Sequence, residues 1–169
     1  KVAGNVSRTN GQFDWNLTGS VENWKPVPFL TVEELDVKLD RVGISFSTTT
    51  AIAGVADVHL VGDFCFSEKT YRITADAATD WPVIDGVELT GVRFTVANRA
   101  AANCAAGDAA GPTRVTARAD LDLFGTHFIV SANITGDGES WIAAQPMGAF
   151  QPIPGLTIHD TLIVANTYE

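Results

Sequence analysis

Three segments of this sequence repeat one spacing of apolar residues, with successive steps of two, three, two and two. They follow Pro26-Val27-Pro28, Pro82-Val83-Ile84 and Pro152-Ile153-Pro154. In the first segment the apolar positions are Leu30, Val32, Leu35, Val37 and Leu39. Steps of two place side chains on one face of a β-strand, and a step of three needs a β-bulge or a bend to keep that face inward. A helix would require steps of three and four throughout, so the pattern predicts an all-β fold.

A second repeat involves tryptophan. Asn16-Leu17-Thr18-Gly19 precedes Trp24, and Asn133-Ile134-Thr135-Gly136 precedes Trp141, with the same internal spacing and a shared glutamate. Trp81 follows a weaker copy of the same motif. We therefore expect Trp24, Trp81 and Trp141 to form equivalent structural corners in tandem units.

The repeats predict three antiparallel β units of about 57–60 residues in a sandwich- or solenoid-like array. The predicted boundaries are 1–50, 51–112 and 113–169, and the first strand of the first unit is incomplete. In the second and third units an alternating strand is expected to end at Gly62 and at Gly125. Residues 98–112, rich in Ala and Gly, are predicted to form a surface loop.

Charge and apolar content exclude two classes of partner. The formal net charge is −9 and the 11 basic residues are scattered, so nucleic acid is not expected as a partner. No stretch of about 18 apolar residues is present, so no membrane span is expected.

Two features favour a secreted or cell-surface location. Asn5, Asn16 and Asn133 each begin a glycosylation acceptor pattern. Cys65 and Cys104 have no metal-type spacing, and a disulfide between them is the favoured interpretation. Two buried free thiols are the alternative.

The sequence gives little support for an enzyme. It contains three histidines, no HExxH motif and no Gly-x-Ser-x-Gly elbow, so no catalytic residue is proposed. No cofactor is expected, although calcium is a weak candidate ligand. Its carboxylate ligands would be either Asp120 and Asp122, which share one strand face, or Asp137 and Glu139, in a predicted turn; solvated surface charge is favoured over both.

The alternating strands and Pro-rich corners resemble tandem β-repeats of large secreted or cell-surface fibre and adhesin proteins. The resemblance implies an extended structural or adhesive role, and the sequence as a whole favours an extracellular structural or assembly glycoprotein. Because the repeat is out of phase with the chain ends, we expect association through β-edges with copies of the chain or with neighbouring repeats. The alternative is a lectin-like module that binds glycans through exposed tryptophan, for which Trp15 is the candidate because it lies outside the tryptophan repeat.

Overall fold

The computed structural model describes residues 1–27, 30–52, 56–77, 81–84, 87–100, 104, 109–123, 126–136, 140–159 and 162–167. In these residues the chain forms strands and no helix, so the all-β prediction is confirmed. The strands, in chain order, are β1 (Val2–Thr9), β2 (Gln12–Val27), β3 (Leu30–Asp40), β4 (Gly43–Ile52), β5 (Ala56–Cys65), β6 (Thr70–Ala77), β7 (Trp81–Ile84), β8 (Val87–Ala97), β9 (Arg114–Leu123), β10 (Thr126–Thr135), β11 (Ser140–Pro146), β12 (Phe150–Ile153), β13 (Leu156–Ile158) and β14 (Ile163–Thr167).

Twelve of these strands form one open antiparallel sheet, in the order β1-β2-β3-β4-β5-β6-β8-β9-β10-β11-β14, with β7 pairing β8. The remaining two strands, β12 and β13, pair with each other. The sheet is a meander, because nearly every strand pairs with its neighbour in sequence.

The expected sandwich- or solenoid-like array of three units is not seen in the described residues, because the pairing is continuous from β1 to β14. The predicted boundary between residues 50 and 51 falls inside β4. The boundary between residues 112 and 113 falls in the connection from β8 to β9, where the described residues of 98–113 contain no strand.

The predicted bulges are present in the first two bent strands. The register of β3 shifts between Val32 and Glu34, and that of β8 shifts between Thr90 and Arg93. In β8 the shift includes Gly91, whose φ of +56° lies in the region that glycine adopts most readily. The third copy is divided into two short strands, β13 and β14.

The register separates the side chains into two faces. Directly opposite residues of antiparallel strands point to the same side of a sheet, and successive residues alternate. One cross-strand row contains Leu17, Leu39, Ile44 and Phe64, and the adjacent row contains Thr18, Lys38, Ser45 and Asp63. We call the side of the first row the apolar face and the side of the second row the polar face.

The two faces extend across the whole sheet. Further members of the apolar face are Val2, Val6, Phe13, Trp15, Val21, Phe46, Ile73, Phe94, Ile134 and Ile142. Among the register-paired positions of the described residues, Arg8 is the one charged residue on this face. Its guanidinium lies 5.2 Å from the centre of the Phe13 ring.

Candidate interaction surface

The apolar face is largely uncovered in the described chain. Side chains on it are exposed from one edge of the sheet to the other, including Val2, Phe13, Phe94 and Ile142. The buried residues on this face include Val32, Thr48, Thr50 and Phe128. Apolar patches of this extent on soluble proteins mark sites of contact with other molecules.

Two glycines make room for larger neighbours on the apolar face. A Cβ added at Gly62 would lie 2.5 Å from the Phe46 ring, and one added at Gly4 would overlap the Leu17 side chain. The side chains of Phe46 and Leu17, from the neighbouring strands, occupy the space above these glycines. The glycines are therefore part of the surface and do not end their strands.

The total exposed area shows how little of the chain is covered. The accessible surface is 11226 Å², whereas a compact monomer of this mass exposes about 8,000 Å² by the usual scaling with molecular mass. The difference of about 3,000 Å² reflects the open sheet, because a single layer leaves both faces accessible.

A disulfide holds the β8–β9 connection against the polar face. Cys65, at the end of β5, is bonded to Cys104, so the predicted pairing is confirmed and the described residues contain no free cysteine. The side chain of Arg99 is fully buried beside this bond. Its guanidinium donates to the Asp63 carboxylate and to the Cys65 sulfur, and lies 3.6 Å from the Cys104 sulfur.

This arrangement does not suit a metal ion. Within the described part of the chain, Asp63, Cys65 and Cys104 are the one group of three potential ligands close enough to share an ion. However, the two sulfurs are joined to each other, and the Arg99 guanidinium supplies the positive charge beside Asp63. We therefore assign this cluster a structural role.

The calcium candidates are only partly described. Asp120 and Asp122 lie on the polar face of β9, as their spacing predicts. The Asp122 carboxylate is 3.1 Å from Nδ1 of His127 on the neighbouring strand. The second candidate pair, Asp137 and Glu139, lies outside the described residues.

An open groove of about 940 Å³ lies along strands β1 to β5 and reaches Cys104. It is lined on the polar face by hydroxyl and charged side chains, among them Thr18, Asp36, Lys38 and Ser47. Lys38 pairs with Asp40 at 3.0 Å, and this hydrogen bond holds the pKa of the Asp40 carboxyl below its usual value. Further hydrogen bonds from the Val42 and Gly43 amides act in the same direction.

The three asparagines of the acceptor patterns share one side of the sheet. Asn5 and Asn16 are directly opposite each other on β1 and β2, and Asn133 lies on β10. The register places all three on the polar face. A glycan at any of them would therefore project away from the apolar face.

Trp24 and Trp141, two of the three tryptophans expected at equivalent corners, are both exposed. Trp24 and Trp141 are 50% and 38% exposed, and the side chain of Trp81 is not among those described. Their motifs also differ in structure. Asn16 to Trp24 lies within the single strand β2, whereas Asn133 pairs directly with Trp141 across the β10–β11 hairpin. Trp15, expected to be the exposed aromatic, is half-buried on the apolar face.

One edge of the sheet presents free backbone groups. The Lys1 and Ser20 backbones hydrogen-bond to each other in both directions, at 2.8 and 2.9 Å. Because doubly bonded pairs alternate in antiparallel sheets, Ala3, Asn5 and Ser7 bond inward, and Val2, Gly4, Val6 and Arg8 direct their N–H and C=O groups outward. In the described residues no strand pairs with this side of β1.

The Arg99–Asp63 pair was not predicted from the sequence. A signal was present, because Arg99 is a charged residue in a segment of small residues close to Cys104. No local pattern links it to Asp63, which is 36 positions earlier.

The described residues contain no helix that could cross a membrane. No protein family, curated protein or solved structure matches the chain.

Proposed function

We propose that this chain is an extracellular structural or assembly glycoprotein that associates through its β-edges with copies of itself or with neighbouring repeats. The observation that carries the proposal is the open edge of β1. At this edge every second residue directs its backbone N–H and C=O groups away from the sheet, namely Val2, Gly4, Val6 and Arg8. Such an edge is a template for pairing with another strand.

One further observation supports an extracellular setting, and another supports an accessible edge. The disulfide is compatible with an oxidising compartment, where such bonds persist. The acceptor asparagines on the polar face leave the backbone of β1 accessible, because glycans there would project from the plane of the sheet.

The edge proposal is tested by Val6→Pro. Proline removes the outward N–H of Val6 and leaves the inward hydrogen bonds of Asn5 and Ser7 in place. Val6→Ala is the control for the side chain, because it shortens it and keeps the N–H. Asn5→Gln is the control for glycosylation, because proline at position 6 also removes the acceptor pattern that begins at Asn5. We expect filaments or linear oligomers of the native chain and of Val6→Ala in electron microscopy, and their loss in Val6→Pro. Assemblies that persist unchanged in Val6→Pro would contradict pairing through this edge.

A carbohydrate-binding module is the second candidate. Trp141 favours it, because this side chain is exposed on the polar face between Asn133 and Asn166. Exposed aromatic rings beside amide groups suit stacking on a sugar with hydrogen bonds to its hydroxyls. On a glycan array we expect binding that Trp141→Ala abolishes and that Trp15→Ala, on the opposite face, retains. Equal glycan binding by Trp141→Ala and Trp15→Ala would exclude a sugar site at Trp141.

A further inference from the structure

We infer that the apolar face is a docking surface for a second copy of this chain, with the two sheets packed face to face. This inference goes beyond edge pairing, because it uses side chains on one face of the sheet and no free backbone groups. It begins from the exposed apolar rows that cross the sheet from β1 to β11.

The available area suits a stable dimer. Strands about 30 Å long, spaced about 4.8 Å apart across eleven positions, give a face of about 1,500 Å². Two such faces in contact would bury an area in the range of about 2,000–5,000 Å² that is typical of obligate homodimers. The excess surface of the chain over a compact monomer is large enough to supply this area.

The distribution of charge favours a second copy over a membrane surface. The chain has a net charge of −9, and proteins that lie on membranes use basic residues to bind anionic lipids. On the apolar face only Arg8 is charged among the register-paired positions described, and it lies near the β1–β2 turn. Two copies can therefore join these faces while their acidic groups stay on the outer, polar sides.

The surface is also suited to sheet packing. Two sheets pack about 10 Å apart with their strands within about 30° of each other, and their inner side chains interdigitate. Phe46 lies across Gly62 and Ile73 adjoins the same glycine, so the centre of the face is filled. A two-fold axis would place the same rows of both copies in contact, as closed dimers require.

A matched pair of neighbouring residues tests the inference. Ile73 on β6 is 37% exposed on the apolar face, and Val61 on β5 is 44% exposed on the polar face. In the Val6→Pro background, where edge pairing is lost, we expect Ile73→Lys to convert the dimer to monomer in size-exclusion chromatography with light scattering. Val61→Lys in the same background, with a lysine on the other face, should remain dimeric. A Val6→Pro chain that is monomeric, or an Ile73→Lys chain that remains dimeric in that background, would overturn the inference.

Single cysteines provide a second test that does not depend on the lysine variant folding. The described native cysteines are bonded to each other, so one introduced thiol can be labelled selectively. Alkylation of Ile73→Cys should slow at least tenfold as the protein concentration rises through dimerisation, while alkylation of Val61→Cys stays constant. Equal rates for both thiols at all concentrations would show that the face is not covered by another copy.

Two outcomes separate this inference from other contacts. Sedimentation of the native chain with phosphatidylcholine vesicles, with Ile73→Lys left in solution, would assign the face to lipid and overturn the inference. Because the Val6 side chain lies on the apolar face, Val6→Pro is compared with Val6→Ala, which also removes that side chain. Loss of linear assemblies in Val6→Pro alone, with the same dimer in both variants, distinguishes failure of edge pairing from failure of face pairing.

Discussion

At the residue scale, the described structure contains two Arg–Asp pairs in different surroundings. The Arg99 guanidinium is buried against Asp63 and the disulfide, whereas the Arg93–Asp76 pair lies exposed on the polar face. A buried charge that loses its partner is strongly destabilising, whereas an exposed pair contributes little. Arg99 therefore links the β8–β9 connection to β5 by charge as well as by the covalent bond.

We predict that Asp63→Asn lowers the free energy of unfolding by about 2 kcal/mol, because Arg99 keeps its buried charge and loses a carboxylate. Asp76→Asn is the control and should cost at most about 0.5 kcal/mol. Urea unfolding followed by tryptophan fluorescence measures both. Equal losses in the two variants would contradict a special role for the buried pair.

Asp40 gives a prediction about pH. Its pKa is held below the ordinary value of 3.8, chiefly by the hydrogen bond from Lys38. A carboxyl with a lowered folded-state pKa contributes stability above its unfolded-state pKa, and this contribution disappears as the pH falls through the folded-state value.

Asp40→Asn should therefore destabilise the protein slightly at neutral pH, by at most about 0.5 kcal/mol, and have no effect in strong acid. The amide oxygen can still accept from the Val42 and Gly43 amides, so the turn is retained. Thermal melts from pH 7 down to about pH 2 provide the measurement. A difference in stability between the native chain and Asp40→Asn that grows as the pH falls would contradict this prediction.

At the scale of the elements, the apolar spacing predicted more than strand content. The step of three between Val32 and Leu35, and again between Leu89 and Val92, predicted bulges that β3 and β8 contain.

Glycine was less informative. Gly62 was expected to end a strand, yet β5 continues to Cys65, and the Phe46 ring occupies the space above the glycine. Sequence patterns cannot distinguish a turn glycine from one that accommodates a neighbour.

The covalent link between β5 and the β8–β9 connection should dominate the stability of this region. Replacement of both cysteines, as Cys65→Ser with Cys104→Ser, opens a loop with a sequence separation of 39. We predict a loss of about 3–4 kcal/mol in the free energy of unfolding, because the unfolded chain regains the entropy that the loop removed. Urea unfolding of the double variant measures it, with the reduced native chain as the control. An unchanged midpoint would show that the bond does not restrict the unfolded chain.

At the scale of the whole molecule, the alternation predicted the two faces but not their arrangement. The repeated Asn-x-Thr-Gly and Trp motif suggested equivalent units, yet one copy lies in a straight strand and the other forms a hairpin. Pairing of each strand with the next depends on turns and long-range contacts that local spacing does not encode. The result is an extended sheet with a continuous apolar face, where three packed units had been expected.

The central claim is that this sheet does not remain alone in solution. Sedimentation equilibrium of the intact, disulfide-bonded chain over a wide range of concentration tests it most directly. The proposed contacts predict a mass of at least twice the chain mass of 17.9 kDa, falling to one chain in Ile73→Lys combined with Val6→Pro. A native chain that sediments at 17.9 kDa at every concentration would contradict it.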